Sequence, residues 1–295
     1  MKKIGISCRT ILVQYGIDRG LELCKESGFD AVDIGLLGYS LNKGVYAASE
    51  DAFETHFDAI RKKAESLELE ISQTHGRTGT YMPENEEHNE TVRLITEKDL
   101  HASAILGSPC CVIHFPNSSR WDKQPPSVMH GVSAEMFDTF VPWAEKYNVR
   151  IALETFGAAR IKGARIRDFF ADPGEFLFQY NRLPAHCRTI CVDTGHTHEA
   201  ESFWVPPPEE MIRILGPDIS VLHLHDNNSH YDDHLLPGMG NINWPAVFDA
   251  LDEIGYTGVY NFELALRFGT MLEEFVRFAG KYLRAFVDCR GNLKG

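Results

Sequence analysis

Residues 188–196 read Arg188-Thr189-Ile190-Cys191-Val192-Asp193-Thr194-Gly195-His196, an apolar, β-branched run that finishes in an aspartate with a histidine three residues on. Such a run suits a strand buried on both faces, the kind found in parallel sheets. The same form recurs to either side. Residues 150–155 finish at Glu154, residues 109–115 reach His114, residues 219–225 carry His223, and residues 260–264 carry Glu263. Upstream, residues 3–8, 31–36 and 69–74 bring the strand candidates to eight. Helical patterns separate them at 51–67, 87–106, 134–147, 207–214, 244–254 and 271–286. In the first of these Phe53, Phe57, Ile60 and Ala64 recur at three- and four-residue steps along one face. Eight strand–helix alternations predict a parallel sheet with covered faces, and closure into a (β/α)8 TIM barrel is the economical solution at 295 residues. An open doubly wound sheet is the alternative, but the first strand is not followed by a glycine-rich phosphate loop.

No linker or low-complexity stretch divides the chain, so residues 1–295 read as a single domain. Long segments follow three strands, at 76–86, 116–133 and 157–174. In a barrel these βα loops lie on the catalytic face.

Composition narrows the function. With 29 basic against 42 acidic residues and a formal charge of −13, the chain is poorly suited to nucleic-acid phosphates. No run of about 18 apolar residues is present to span a membrane, and the N-terminus is too short in apolar residues for a secretion signal. Seven scattered cysteines without CxxC spacing fit a reduced, cytoplasmic setting.

The polar residues that punctuate the strand ends carry the chemistry. They are His75, His114, Glu154, Asp193, His196, His223 and Glu263, with Asp232 and His234 in the loop after the seventh strand. A single histidine at a strand end is usually a hydrogen-bonded structural residue. Repetition changes the reading, because burying an unpartnered polar group costs roughly 2–7 kcal/mol, and a charge more. A divalent cation supplies the missing partner. Glu154, Asp193, His223 and Glu263 form the expected ligand set. His75, His114, His196, Asp232 and His234 are candidates for a second metal site or for substrate binding. His198, His225 and His230 read as ordinary residues, although His223 and His225 point the same way along a strand and spacing alone does not choose between them.

The runs Ala152-Leu153-Glu154-Thr155, Val192-Asp193-Thr194-Gly195-His196, Leu222-His223-Leu224-His225-Asp226-Asn227, residues 234–242 and Asn261-Phe262-Glu263 resemble the xylose isomerase-like barrel superfamily, which includes sugar isomerases and epimerases, inosose dehydratases and endonuclease IV-type enzymes. The resemblance implies a divalent metal (Mn, Co, Mg or Zn) held by Glu154, Asp193, His223 and Glu263, with His223 rather than His225 as ligand. It also implies that Glu154 and Glu263 act as an acid–base pair on a sugar carbon beside a carbonyl. The expected function is a metal-dependent sugar or sugar-phosphate isomerase or epimerase of carbohydrate metabolism, acting on a small molecule. A multinuclear zinc phosphodiesterase and an inosose-type dehydratase are the alternatives, since the outer five residues match where endonuclease IV-type enzymes hold further zinc ions. The sequence departs from ketose 3-epimerases at Arg160, where a second Glu is usual, and at Asn227-Asn228-Ser229, where an Arg is usual. Arg160 heads a basic cluster with Lys162, Arg165 and Arg167. It reads as an anchor for a phosphate or carboxylate, or as a solvated loop or a contact in a homo-oligomer.

Overall fold

A computed structural model describes residues 1–76, 81–82, 84–116 and 124–290. Eight parallel strands run in chain order around one sheet: β1 (Ile4–Ser7), β2 (Ala31–Gly35), β3 (Glu70–His75), β4 (Cys110–Ile113), β5 (Arg150–Glu154), β8 (Arg188–Asp193), β9 (Ile219–His223) and β10 (Tyr260–Phe262). β1 pairs with β10, and a parallel bridge between Leu224 and Phe262 joins β9 to β10, so the sheet closes into the expected barrel. The remaining two strands, β6 (Ala158–Ile161) and β7 (Ala164–Arg167), form a separate antiparallel hairpin.

Among the described residues ten helices surround the strands. They are α1 (Arg9–Tyr15), α2 (Ile17–Glu26), α3 (Glu50–Ser66), α4 (Glu86–Leu106), α5 (Pro126–Tyr147), α6 (Pro173–Tyr180), α7 (Thr194–Ala200), α8 (Pro208–Leu215), α9 (Trp244–Glu253) and α10 (Leu272–Asp288). On α3 the anticipated stripe of Phe53, Phe57, Ile60 and Ala64 is the buried face, and the Ser49 hydroxyl caps its first turn through the Ala52 amide. None of these helices is long and apolar enough to cross a membrane.

Two of the anticipated long loops are more ordered than the sequence suggested. The segment 157–174 holds the β6–β7 hairpin, turned at Lys162 and Gly163 with φ of 48° and 84°. Two successive left-handed residues are what a tight hairpin turn demands, and only the second is glycine. The segment 116–133 ends at Pro125, because Pro126 sits in the first turn of α5, where a missing amide hydrogen costs nothing. The segment 76–86 ends at α4, whose first turn is capped by the Asn85 side chain. Residues 77–80, 83 and 117–123 of these loops lie outside the described residues.

The main hydrophobic core lies between the barrel and the helices. A small second cluster, Cys110, Val112, Ala152, Cys191 and Val221, fills the barrel interior. The interior also buries a polar set, with Asp33, Gln73, Glu154, Asp193, His223 and His225 all fully or almost fully enclosed. Apolar strand sequences that alternate with these residues place them in the barrel lumen rather than against the helices.

Candidate functional site

The strand ends deliver the polar residues to one place. Glu154, the last residue of β5, is 1% exposed. Its Oε1 accepts from His223 Nδ1 at 2.6 Å. Its Oε2 faces the Nε2 atoms of His114 and, at 3.8 Å, His75, yet makes no hydrogen bond. The two histidines are themselves 3.1 Å apart through their Nε2 atoms. Three ligand-type atoms from β3, the end of β4 and β5 therefore converge on one point, where the buried carboxylate oxygen meets the His114 ring without the geometry of a hydrogen bond. That arrangement fits a divalent cation.

His223 ends β9 and joins Glu154 to Glu263. Its Nδ1 lies 3.1 Å from Glu263 Oε2, while Nε2 faces Gln73 Nε2 at 2.9 Å and Asp33 Oδ2 at 3.3 Å. Three of the four expected ligands thus meet around a single ring nitrogen. Asp193 takes a different partner. Its Oδ1 caps α7 through the His196 amide at 2.7 Å, and both its oxygens lie 3.0–3.1 Å from His225 Nε2. His196 stands between the groups, with Nδ1 3.8 Å from Asp193 and 3.9 Å from Glu154.

A second cluster gathers around Asp232. His234 Nε2 donates to its Oδ2 at 2.9 Å, His196 Nε2 approaches the same oxygen at 3.5 Å, and His225 Nε2 lies 3.6 Å from Oδ1. His196 and His234 each donate Nδ1–H to a main-chain carbonyl, that of Thr155 at 3.1 Å and that of Glu263 at 2.9 Å. A ring held through Nδ1 in this way is oriented to offer Nε2 to a cation once that nitrogen gives up its proton. The nitrogens and oxygens of His225, Asp232 and His234 lie within 4.8 Å of one another, close enough to share one ion.

The electrostatics follow from this crowding. Burial works to raise the Glu154 carboxyl, but His114 and His223 outweigh it and hold it well below the usual range. Burial likewise opposes the charge of Asp193, and His196 and His225 reverse the effect, lowering it. Burial disfavours a charged His234, yet the bond to Asp232 pushes it up to about 9. With these side chains alone, the histidines supply the positive charge that the carboxylates require.

His225 corrects the sequence reading, which set it aside as ordinary. It is fully buried, stacks on His234 with ring centroids 3.9 Å apart, and is the direct partner of Asp193. Room for it exists because residue 195 is glycine: a Cβ there would sit 1.9 Å from His225 Cε1. His198 is occupied by Glu201 and Asn241, and His230 by Arg160 and Arg165. Asp33 and Gln73 were missed, although a carboxylate inside the apolar run Ala31-Val32-Asp33-Ile34 is the same signal that marked the others. Arg160, the expected anion anchor, donates to the His230 carbonyl at 2.8 Å, lies over the Tyr231 ring and is 3.9 Å from Glu199.

The loop after β9 is stitched by Asp226, whose carboxylate accepts from the amides of Asn227, Gly238 and Ile242 and from Trp244 Nε1 at 2.8–3.2 Å. This fixes the segment bearing Asp232 and His234 against the barrel rim. Beside it opens a cleft of about 440 Å³, lined by Arg9, Thr10, Asp232, Asp233, His234 and residues 263–267. Glu263, 23% exposed at its side chain, lines this cleft, while Glu154 is enclosed within the barrel.

Comparisons with known proteins agree with this architecture. The family described as "Xylose isomerase-like TIM barrel" matches residues 21–271. An uncharacterized protein of Methanocaldococcus jannaschii is 34% identical over 123 residues, 41% of this chain and 38% of that protein, so the chain spans well under half the length of that relative. Among solved structures, a D-tagatose 3-epimerase-like protein superposes with a TM-score of 0.71 at 23% identity, covering 97% of this chain and 99% of the other. The IolI protein with a bound zinc atom gives 0.74 at 18% identity, over 98% and 99%.

Proposed function

The chain belongs to the xylose isomerase-like TIM barrel family, and on that footing we propose that it is a sugar isomerase or epimerase that needs a divalent cation and works by proton transfer beside a carbonyl. The observation that carries the reading is the placement of two glutamates on one histidine: Glu154 enclosed within the barrel, Glu263 open to the cleft. The epimerase-like protein and the zinc-bound IolI protein with the same fold support it.

Glu154, His223 and Glu263, with Asp193 alongside, would hold the cation. Bound there, a divalent ion supplies the electrophile that makes a C–H bond next to a carbonyl acidic. The chain's own residues do the rest. Glu263, reachable from the cleft, takes the proton; the C–H pair becomes the carbon–carbon π bond of the enediolate as the carbonyl π pair moves onto its oxygen. Return of a proton, to the opposite face or to the neighbouring carbon, gives the epimer or the isomer, and Glu154 is the second carboxylate available for it. His223 orients both carboxylates, Gln73 and Asp33 hold the far side of its ring, and the closed floor keeps water from Glu154.

Incubating the metal-loaded protein with ketoses in D2O tests this. Deuterium is expected on the carbon beside the carbonyl. Turnover without it refutes proton transfer through solvent-exchanging carboxylates.

The surplus of donors favours a second reading, a multinuclear zinc phosphodiesterase. His75 and His114 around Glu154, and His196, His225 and His234 around Asp232, exceed what one ion takes. Elemental analysis separates the two: one ion per chain supports the isomerase, and two or three with incision of an abasic duplex support the hydrolase.

A further inference from the structure

The basic residues of this acidic chain are mostly engaged. On the catalytic face Arg160 and Arg165 reach His230 and Glu199, and Arg167 reaches Asp172. Arg9 and Arg267 differ. Among the described residues neither guanidinium has a hydrogen-bond or ion-pair partner, although Asp232, Asp233 and Glu263 line the same cleft. One arginine opens α1, directly after β1, and the other comes from the loop after β10, so two neighbouring barrel strands bring them to one cavity.

Arg9 also has a prepared bed. A Cβ on Gly35, at the end of β2, would sit 2.9 Å from Arg9 Cβ and 3.1 Å from Cδ, and one on Gly38 would meet Nη2 at 3.4 Å. The stem thus lies along bare backbone, which limits its freedom and settles the guanidinium over Gly38. Solvated arginines are common on protein surfaces. Two unpaired ones that share a cavity with Glu263 and His234 are a different arrangement, because the acidic wall repels an anion and the arginine wall attracts it.

We infer that Arg9 and Arg267 bind the anionic end of the substrate, a phosphate or a carboxylate on a small sugar, so that the cleft selects charged over neutral monosaccharides. The inference rests on the reading that this cleft admits a sugar. Guanidinium groups match either anion in bidentate fashion, which suits them to this task better than lysine. Arg160, the anchor expected from the sequence, is engaged by the His230 carbonyl and the Tyr231 ring, whereas Arg9 and Arg267 are not so engaged.

The test compares D-fructose, D-fructose 6-phosphate and D-fructuronate as ligands of the metal-loaded protein, by calorimetric Kd and by deuterium incorporation. The expected result is at least tenfold tighter binding of one anionic sugar than of D-fructose. Arg9→Gln and Arg267→Gln are each expected to reduce that ratio about tenfold, and Arg9→Lys to retain more of it than Arg9→Gln. Whether the phosphate or the carboxylate carries the preference identifies the anion. A ratio near one in the unmodified protein, or a ratio unchanged in both glutamine variants, overturns the inference. Arginine-dependent binding with no deuterium incorporation would sink the isomerase reading and leave this one standing; deuterium incorporation into D-fructose with no charge preference would do the reverse.

Discussion

Replacing Gly195 by alanine tests the assignment of His225 to the site through a single methyl group. Gly195 lies in the first turn of α7, so alanine suits the backbone and improves helix propensity by about 1 kcal/mol. The methyl would meet His225 at 1.9 Å from Cε1, 2.4 Å from Nδ1 and 2.7 Å from Nε2. The ring has nowhere to go, being fully buried and stacked on His234. Overpacking of this kind costs about 1–3 kcal/mol, and displacing Nε2 from Asp193 forfeits a charge-assisted bond worth about 1.5–3 kcal/mol. The net loss is about 3 kcal/mol. At an unfolding entropy of about 2.1 cal/mol/K per residue over 295 residues, that lowers Tm by about 5 °C. Circular dichroism melts of Gly195→Ala, His225→Ala and the double variant give the assay. Because the clash is with the imidazole, Gly195→Ala should be neutral or slightly stabilising once His225 is alanine. An equal loss in both backgrounds would refute the steric account.

Two further perturbations address the cation and the charge pairing. Glu154→Gln keeps the volume but removes the anion around which His75, His114 and His223 converge; the metal content of the purified protein should fall, and an unchanged content would contradict the ligand assignment. In chelator-treated protein, His234 binds its proton up to about pH 9 when folded and about 6.5 when unfolded. Its stabilisation is therefore complete below pH 6.5 and is lost as pH rises through 9, at most about 3 kcal/mol. Tm should decline over that window and decline less in His234→Gln; equal slopes would show that another group governs it.

The barrel was legible because its strands announce themselves by apolar β-branched runs, and most of them also by a histidine or carboxylate at or just past the end. The rule that a buried carboxylate or histidine needs a partner singled out Glu154, Asp193, His223 and Glu263 without knowledge of their distances, and the fold sets Glu154 and Glu263 on His223 and Asp193 on His225. It failed where the same signal was discounted. His225 was passed over because strand periodicity cannot tell two inward-facing residues apart, and only the backbone gap at Gly195 shows that the second ring reaches Asp193. Asp33 sits one strand away from the recurrent motif, and Arg9 at the start of α1 and Arg267 in a loop give no signal until closure of the barrel sets β1 beside β10. The β6–β7 hairpin was read as loop because Lys162, a residue with no turn preference of its own, holds a positive φ there.

Asp226 gives the site a property that belongs to polymer physics rather than to coordination. The chain from Asp226 to Trp244 would wander if left free, and confining Asp232 and His234 within it would carry an entropy cost at every binding event. Four hydrogen bonds onto one carboxylate tie Asn227, Gly238, Ile242 and Trp244 to a single point. The closed ring between Asp226 and Gly238 spans about a dozen residues, for which closure costs about 2 kcal/mol, and folding settles that once. Residues 228–233 then form a bight with fixed ends, and the footing of His234 is set before any ligand arrives.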